Sequence, residues 1–264
     1  MSLVINTNTA SINAQRNLGL SKGTLNTSMA RLSSGMRITS AKDDAAGLAI
    51  SEKLRANIRG LGQAERNAND GISMIQTAEG ALNEVSNMLI RQKELAVQAA
   101  NGTLGADERG YLQAEYSQLD AEITRISTAT EFNGTALFGA TIDLQVGVNA
   151  ADTISFTVGT LAATGGDIST AAGASTALGT IDTAIGTVSG TRGDLGAAQN
   201  RLQSTVNNLA VQRENLSAAN SRIRDVDVAQ ESVEMTRSQI LMQAGIAVLA
   251  QSNQLPAMAL SLIG

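Results

Sequence analysis

Two apolar ladders with a seven-residue step decide most of what this chain can fold into. Counting by sevens from Leu54 gives Leu54, Leu61, Ala68, Ile75, Leu82, Leu89 and Ala96, and counting from Ile181 gives Ile181, Val188, Leu195, Leu202, Leu209, Leu216 and Ile223. An unbroken seven-residue apolar repeat marks helices that pack side by side along a seam. Ile58 and Ile72 add to the first seam. The companions of the second, Leu178, Ile185, Arg192, Gln199, Val206, Arg213 and Asn220, are half polar, as a narrow seam in a shared bundle tolerates. Both ladders have the same reach, about 63 Å at 1.5 Å rise per residue, and a connector folding back between them makes the pair antiparallel.

The chain has a single proline, Pro256, so helices of this length meet no obligatory break. Glycines 60, 62, 71 and 80 in the first segment and 186, 190, 193 and 196 in the second each cost about 1 kcal/mol relative to alanine. Each large seam residue returns roughly 1.5–3 kcal/mol on burial, so packing wins by a moderate margin and neither helix is expected to stand alone. The same glycines are candidates for easing small shifts between packed helices.

Between the ladders, Leu112, Tyr116, Leu119, Ile123 and Ile126 recur at helical spacing, with Asp107 and Glu108 near the start, where a helix dipole favours negative charge. The pattern ends before the turn signal Glu-Phe-Asn-Gly at 131–134. The period then becomes two. Ile142, Leu144, Val146 and Val148 alternate with polar or small residues, Asn149 to Asp152 reads as a turn, and Ile154, Phe156 and Val158 alternate again, which predicts a β-hairpin near 141–158. Residues 159–177 are rich in Ala, Gly, Thr and Ser and read as a short variable loop. The expected fold class is mainly α: a long antiparallel helical bundle or coiled coil formed by the N- and C-terminal regions, with a small β-hairpin in the middle.

The two ends form slender arms. Leu18, Leu25 and Leu32 make a short ladder with Met29 and Met36 as companions, and residues 1–42 contain no acidic side chain. Val226, Val233, Ile240 and Ala247 continue a C-terminal seam displaced by three residues from Ile223, a slip that breaks or overwinds a continuous coil. Ordering backbone costs about 1–2 kcal/mol per residue, more than a lone two-helix hairpin recovers, so the arms are expected to order only when neighbouring copies cover them. In Arg-Leu-Ser-Ser-Gly-Met-Arg-Ile-Thr-Ser-Ala-Lys-Asp-Asp, residues 31–44, Gly35 supplies a helix stop, while Asp43 and Asp44 sit where an N-cap and first-turn carboxylates belong. This stretch is a hinge between arm and bundle. Adjacent aspartates cap more often than they chelate, so no metal site is expected there.

Composition removes most enzyme chemistry. Histidine, cysteine and tryptophan are all absent, so thiol nucleophiles, histidine-dependent triads and Cys/His zinc sites have no donors, and no phosphate-binding Gly-rich loop occurs. No enzymatic activity and no cofactor are expected. A net charge of −5 with 2% aromatic residues argues against nucleic-acid binding. The opening segment lacks the basic, apolar and small-residue order of a secretory signal. Residues 238–264 carry no charged side chain, yet Gln239, Gln243, Gln251, Asn253, Gln254 and Pro256 interrupt them, so they read as an uncharged amphipathic helix and not a membrane span.

Several ordered blocks resemble the bacterial flagellins: residues 5–18 with 31–51 near the N-terminus, then Arg-Gln-Lys-Glu-Leu from 91, Glu-Phe-Asn-Gly-Thr-Ala-Leu-Phe-Gly at 131–139, Ser-Arg-Ile-Arg-Asp-Val-Asp-Val-Ala-Gln-Glu at 221–231, and the segment 239–256. The resemblance spans nearly the whole chain except about 159–190. It implies a terminal coiled-coil domain, D0, at 1–44 plus 226–264, and a helical D1 domain at 45–225, with no outer domains. It implies a secreted, extracellular structural subunit that polymerises with itself into the flagellar filament for swimming motility, after type III export. The implied partners are other copies of the chain, an export chaperone, the filament cap and hook-associated proteins, with no nucleic acid and no membrane. Subunit-interface candidates are Leu18, Leu25, Arg31, Leu32, Gly35, Asp43, Asp44, Ile240, Leu249 and Leu255. In flagellins recognised by the innate receptor TLR5, the contact uses residue types that match Arg91, Leu95 and Glu115 here, although Gln92 departs from the usual pattern; solvated helix faces and subunit packing explain the three equally well. A hook-filament junction protein of the same architecture is the alternative. A cytosolic coiled-coil regulator is a third reading, and it predicts dispensable arms.

Overall fold

The computed structural model describes residues 7–260, with side chains described as far as residue 254. In chain order the elements are α1 (Thr9–Ser34), α2 (Ala45–Ala99), α3 (Ala106–Ala129), β1 (Glu131–Phe132), β2 (Thr135–Ala136), β3 (Thr141–Gln145), β4 (Thr153–Thr157), α4 (Ala171–Arg224) and α5 (Val228–Leu260). They divide into two compact units. One takes the residues up to Ala56 together with those from Asn215 onward, and the other is Asn57–Glu214.

The core of the Asn57–Glu214 unit is the two ladders. Leu61, Ala68, Ile75, Leu82, Leu89 and Ala96 of α2 are buried, as are Ile181, Val188, Leu195, Leu202 and Leu209 of α4. Their spacing keeps one stripe of each helix dry over its length inside this unit. Ile123 from α3 joins the same cluster with Leu137, Phe138, Val146, Ile154, Phe156 and Val158 from the β region. A second cluster gathers Leu95, Ala96 and Ala99 with Tyr116, Ile168, Ala174, Ala177 and Ile181.

Strands β3 and β4 pair antiparallel, with Ile142 opposite Phe156 and Leu144 opposite Ile154. Along β4 the burial alternates, inward at Ile154 and Phe156, as the period-two pattern requires. The hairpin ends sooner than the alternation in the sequence implies: β3 stops at Gln145, Val146 turns inward and Val148 is exposed. The Asp152 carboxylate closes the turn by accepting from the Asn149 backbone N–H at 3.0 Å. This hairpin lies flush on α2. A Cβ built on Gly71 would run into the Leu144 side chain, and one on Gly60 would come within 2.7 Å of Val148 Cγ1. Gly193, Gly186 and Gly190 of α4 face open space instead. The helix glycines therefore have different causes. The turn signal at 131–134 is itself a second, minimal hairpin, β1–β2, with Asn133 and Gly134 both at positive φ, a combination that Asn-Gly supplies readily.

The loop expected at 159–177 ends sooner, because α4 begins at Ala171. Thr170 starts the helix, its Oγ1 accepting from Gly173 N at 3.0 Å, and Ala174 and Ala177 are buried, so small residues that read as loop are helix packed closely on α2 and α3. The irregular strap before it is pinned by polar groups. Thr164 donates its N–H to Asp120 Oδ1 at 2.9 Å and meets the Tyr116 hydroxyl at 2.7 Å, while Ile168 is fully buried and donates its N–H to Gln113 Oε1 at 2.6 Å.

In the other unit α1 and α5 pack together, and the slip in the C-terminal ladder is a break at residues 225–227. The structure also corrects that ladder's direction. Val233 and Ile240 point outward, and α5 meets α1 through Met235, Ser238, Met242, Gly245, Leu249 and Ser252 instead.

Candidate assembly surface

The least exposed positions of α1 are Ser11, Ala14, Leu18, Ser21, Leu25, Ser28 and Leu32, spaced alternately by three and four, with Arg31 beside the last. This is a single heptad stripe. The facing stripe on α5 has the same spacing. Cross-contacts run from Asn8 Nδ2 to the Ser252 carbonyl at 2.7 Å, from Ser11 Oγ to Asn253 Oδ1 at 2.9 Å, and between Arg31 and Glu231 at 3.7 Å. A Cβ on Gly245 would come within 3.2 Å of Leu18 Cδ1. These contacts fix an antiparallel register.

Many of the large side chains lie outside this seam. Ile12, Leu20 and Met29 on α1 are exposed, as are Val228, Val233, Ile240, Leu241, Ile246 and Val248 on α5; Leu20 and Val233 are 67% and 68% exposed. A helix apolar on two faces is a helix with two partners, and here α1 supplies one. Of the sequence candidates, Leu18, Leu25, Leu32, Arg31 and Leu249 are taken up inside the hairpin, and Ile240 faces out at 60% exposure. Leu255 lies outside the residues whose side chains are described. Sequence reasoning passed over Val233, Leu241 and Val248 as surface groups. Their signal is a second apolar phase on α5, offset from the Met235–Met242–Leu249 phase.

The hinge is built as a small knot. Gly35 ends α1 in the left-handed conformation at φ 70°, and Met36 bridges to Asp225. Arg37 N donates to the Arg224 carbonyl at 2.7 Å and Val226 N to the Gly35 carbonyl at 3.1 Å. Asp44 caps α2, its Oδ1 accepting from Gly47 N at 2.8 Å. Asp43 serves the loop instead. Its Oδ2 accepts from the hydroxyls and backbone N–H groups of Thr39 and Ser40, and these bonds, the Thr39 hydroxyl first, lower its pKa to about 2. Arg224 donates to Glu52 at 2.8 Å and holds that carboxyl below its ordinary range.

On the Asn57–Glu214 unit, Arg91 pairs with Glu94 at 2.9 Å and with Glu115 at 2.8 Å, which raises its pKa, Glu94 contributing most. Both Arg91 and Glu115 face solvent. Leu95 does not: it is 1% exposed, packed beside Ala96, Ala99 and Tyr116, so the three sequence candidates do not form one exposed patch. Its neighbour Gln92 is also buried and accepts from Thr164 Oγ1 at 3.2 Å. Among the described residues no group of three or more metal-ligating side chains occurs, and no helix is long and apolar enough to cross a membrane.

A pair of heptad helices with a terminal hairpin that keeps large apolar groups on its outer faces defines a structural helical protein built for contact with further chains. The chain belongs to the bacterial flagellin family: the family's N-terminal helical region matches residues 5–142 and its C-terminal helical region matches 178–263. It is 48% identical over 271 residues to the flagellin of Halalkalibacterium halodurans, covering 99% of this chain and all of that one. It is 45% identical over 285 residues to the flagellar filament 33 kDa core protein of Treponema phagedenis, with 99% and 100% coverage. The Salmonella muenchen flagellin matches over 165 residues at 51% identity, which is 62% of this chain and only 33% of that longer protein. Among solved structures, the flagellin of Bacillus cereus is 34% identical and superposes with a TM-score of 0.51 over 59% of this chain and 94% of that one. The protein is therefore a structural component of the flagellar filament.

Proposed function

We propose that this chain assembles with copies of itself into the filament through the outward faces of the α1–α5 hairpin, which acts as the D0 domain at residues 1–44 plus 226–264, with D1 at 45–225. The observation that carries the proposal is the second apolar phase of α5, Val233, Ile240, Leu241 and Val248, exposed while smaller residues fill part of the α1 seam. Covering these groups returns roughly 1.5–3 kcal/mol each, and that gain orders the arms on assembly. One contact repeated from copy to copy without closing gives an open helical polymer. Filaments lie outside the cell, so the chain is secreted, and export requires a chaperone for the apolar arm and a cap and hook-associated proteins at the filament ends.

The test is Val233→Asp with Ile240→Asp. Neither residue faces α1, so helicity and the Asn57–Glu214 unit remain while extension of filament seeds stops. Unimpaired extension overturns the reading. A wild-type chain that binds seed ends without elongating them favours the hook-filament junction reading. Recognition by TLR5 would rest on Arg91 and Glu115 alone in the folded subunit. Adding free chain to receptor-expressing cells, wild type against Arg91→Ala, tests it, and silence of the wild type at saturating dose removes it.

A further inference from the structure

The α1–α5 seam pairs large with small in layer after layer. The contact of Gly245 with Leu18 sets the register, with residue numbers summing to 263, and carried along the two buried stripes it pairs Ala14 with Leu249, Ser21 with Met242, Leu25 with Ser238, and Ser28 with Met235. Such layers interdigitate well, since each bulky side chain enters the gap left by a small one. The pattern also repeats every seven residues on both helices. Shift α5 by one heptad toward the hinge and the layers sum to 270: Leu18 with Ser252, Ser21 with Leu249, Leu25 with Gly245, Ser28 with Met242, and Leu32 with Ser238. Both registers contain five large–small layers. The apolar seam therefore cannot distinguish them, although they differ by about 10.5 Å of axial travel. The opposite shift draws α5 away from the hinge and strains the short connection at 225–227.

What separates the two registers is polar. Arg31 with Glu231, Asn8 with the Ser252 carbonyl, and Ser11 with Asn253 exist only at 263, as does the backbone bond from Val226 to Gly35. We infer that the hairpin is a two-register device: its apolar layers permit a one-heptad slide, and a polar clamp at each end selects the observed position. This rests on the α1–α5 packing and not on which surface the assembled copies share, so it stands or falls apart from the proposed function. A subunit able to change the length of its hairpin by one heptad without losing a layer has an axial degree of freedom that an ordinary leucine seam lacks.

The chain contains no cysteine, so engineered pairs are unambiguous. Ser21→Cys with Met242→Cys reports the observed register, and Ser28→Cys with Met242→Cys reports the shifted one. Each pair is placed in the full-length chain and treated with a thiol cross-linker too short to span one heptad, in both free and assembled chains. Links within a chain keep monomer mobility on a denaturing gel, whereas links between copies run as dimers. In the wild-type background only the 21–242 link is expected. In a clamp variant carrying Asn8→Ala, Ser11→Ala, Glu231→Ala and Val226→Pro, the 28–242 link rises relative to the 21–242 link by at least about tenfold, as loss of several hydrogen bonds implies. A clamp variant that keeps only the 21–242 link overturns the inference, because the apolar layers then choose the register themselves. Loss of both links in the variant also overturns it, since the layers then do not hold the pair. So does equal linking in the wild-type background, or no 21–242 link there in either state.

Discussion

Gly71 and Gly193 are both mid-helix glycines, and the structure gives them opposite responses to alanine. At Gly193 no heavy atom lies within 4 Å of a built Cβ, so Gly193→Ala removes backbone entropy from the unfolded chain and adds nothing to collide. The expected gain is about 1 kcal/mol. At Gly71 the built Cβ strikes Leu144 Cδ1 and lies 3.3 Å from its Cγ and 3.4 Å from its Cδ2. All three atoms belong to the leucine side chain, so either Leu144 leaves its packed rotamer or the hairpin shifts on α2 before the methyl fits. Overpacking of this kind costs about 1–3 kcal/mol, which offsets or exceeds the propensity gain. The two variants should therefore differ by about 1–3 kcal/mol, with Gly193→Ala melting a few degrees above wild type and Gly71→Ala at or below it. Thermal and urea unfolding of the full-length chain, followed by circular dichroism, measures the difference. Equal stabilisation by both substitutions would falsify the claim that β3 lies flush on α2. Filament shape read from the same variants tests whether glycines ease helix sliding: Gly193→Ala should straighten or stiffen the filament if they do.

Leu202→Ala empties a fully buried position in the α4 ladder and should cost about 2–5 kcal/mol, read as a lower urea midpoint. The Asp43 carboxyl, at about 2, is lowered relative to the unfolded chain; its contribution to the hinge is thus present above the ordinary carboxylate range and disappears as pH falls through about 2, which an NMR titration of its side chain follows. Asp43→Asn should abolish that titration and loosen amide protection at Thr39 and Ser40, and unchanged protection would count against the four-donor knot. Thr164→Val removes the hydroxyl that meets Tyr116 and should cost about 1–2 kcal/mol, with faster hydrogen exchange in the strap. Burial raises the Tyr116 phenol, so its ultraviolet titration should lie above the ordinary tyrosine range.

The long bundle was legible because heptad spacing and burial are one fact seen twice. Leu61 to Ala96 and Ile181 to Leu209 are spaced by seven because that is the step that keeps a side chain on one face of a packed helix. The start of α4 was less legible. Ala, Gly, Ser and Thr at 169–177 carry little hydrophobic contrast, and the Thr170 cap together with the burial of Ala174 and Ala177 against two other helices supports the helix there. The inward face of α5 is hidden in the sequence for a related reason. The outward ladder has the larger side chains, Val233 and Ile240, while the inward one includes Ser238, Gly245 and Ser252, and a search for apolar groups finds the wrong side. The α1 candidates read correctly as a stripe, yet periodicity alone does not say whether the stripe meets its own chain or another copy. Leu95 shows the same limit, since a motif gives residue types and not exposure.

The strap between β4 and α4 has a practical consequence for protein engineering. Ala162 and Ala163 are solvent-facing, yet Val158 before them and Ile168 after them are buried, and Thr164 is tied down beside them. A foreign peptide spliced between the two alanines would begin and end on moorings that the rest of the fold already holds. Each doubling of such a segment adds only about 0.6 kcal/mol of closure entropy. This chain should accordingly serve as a display scaffold, carrying guest epitopes at a fixed place on every subunit without disturbing either ladder.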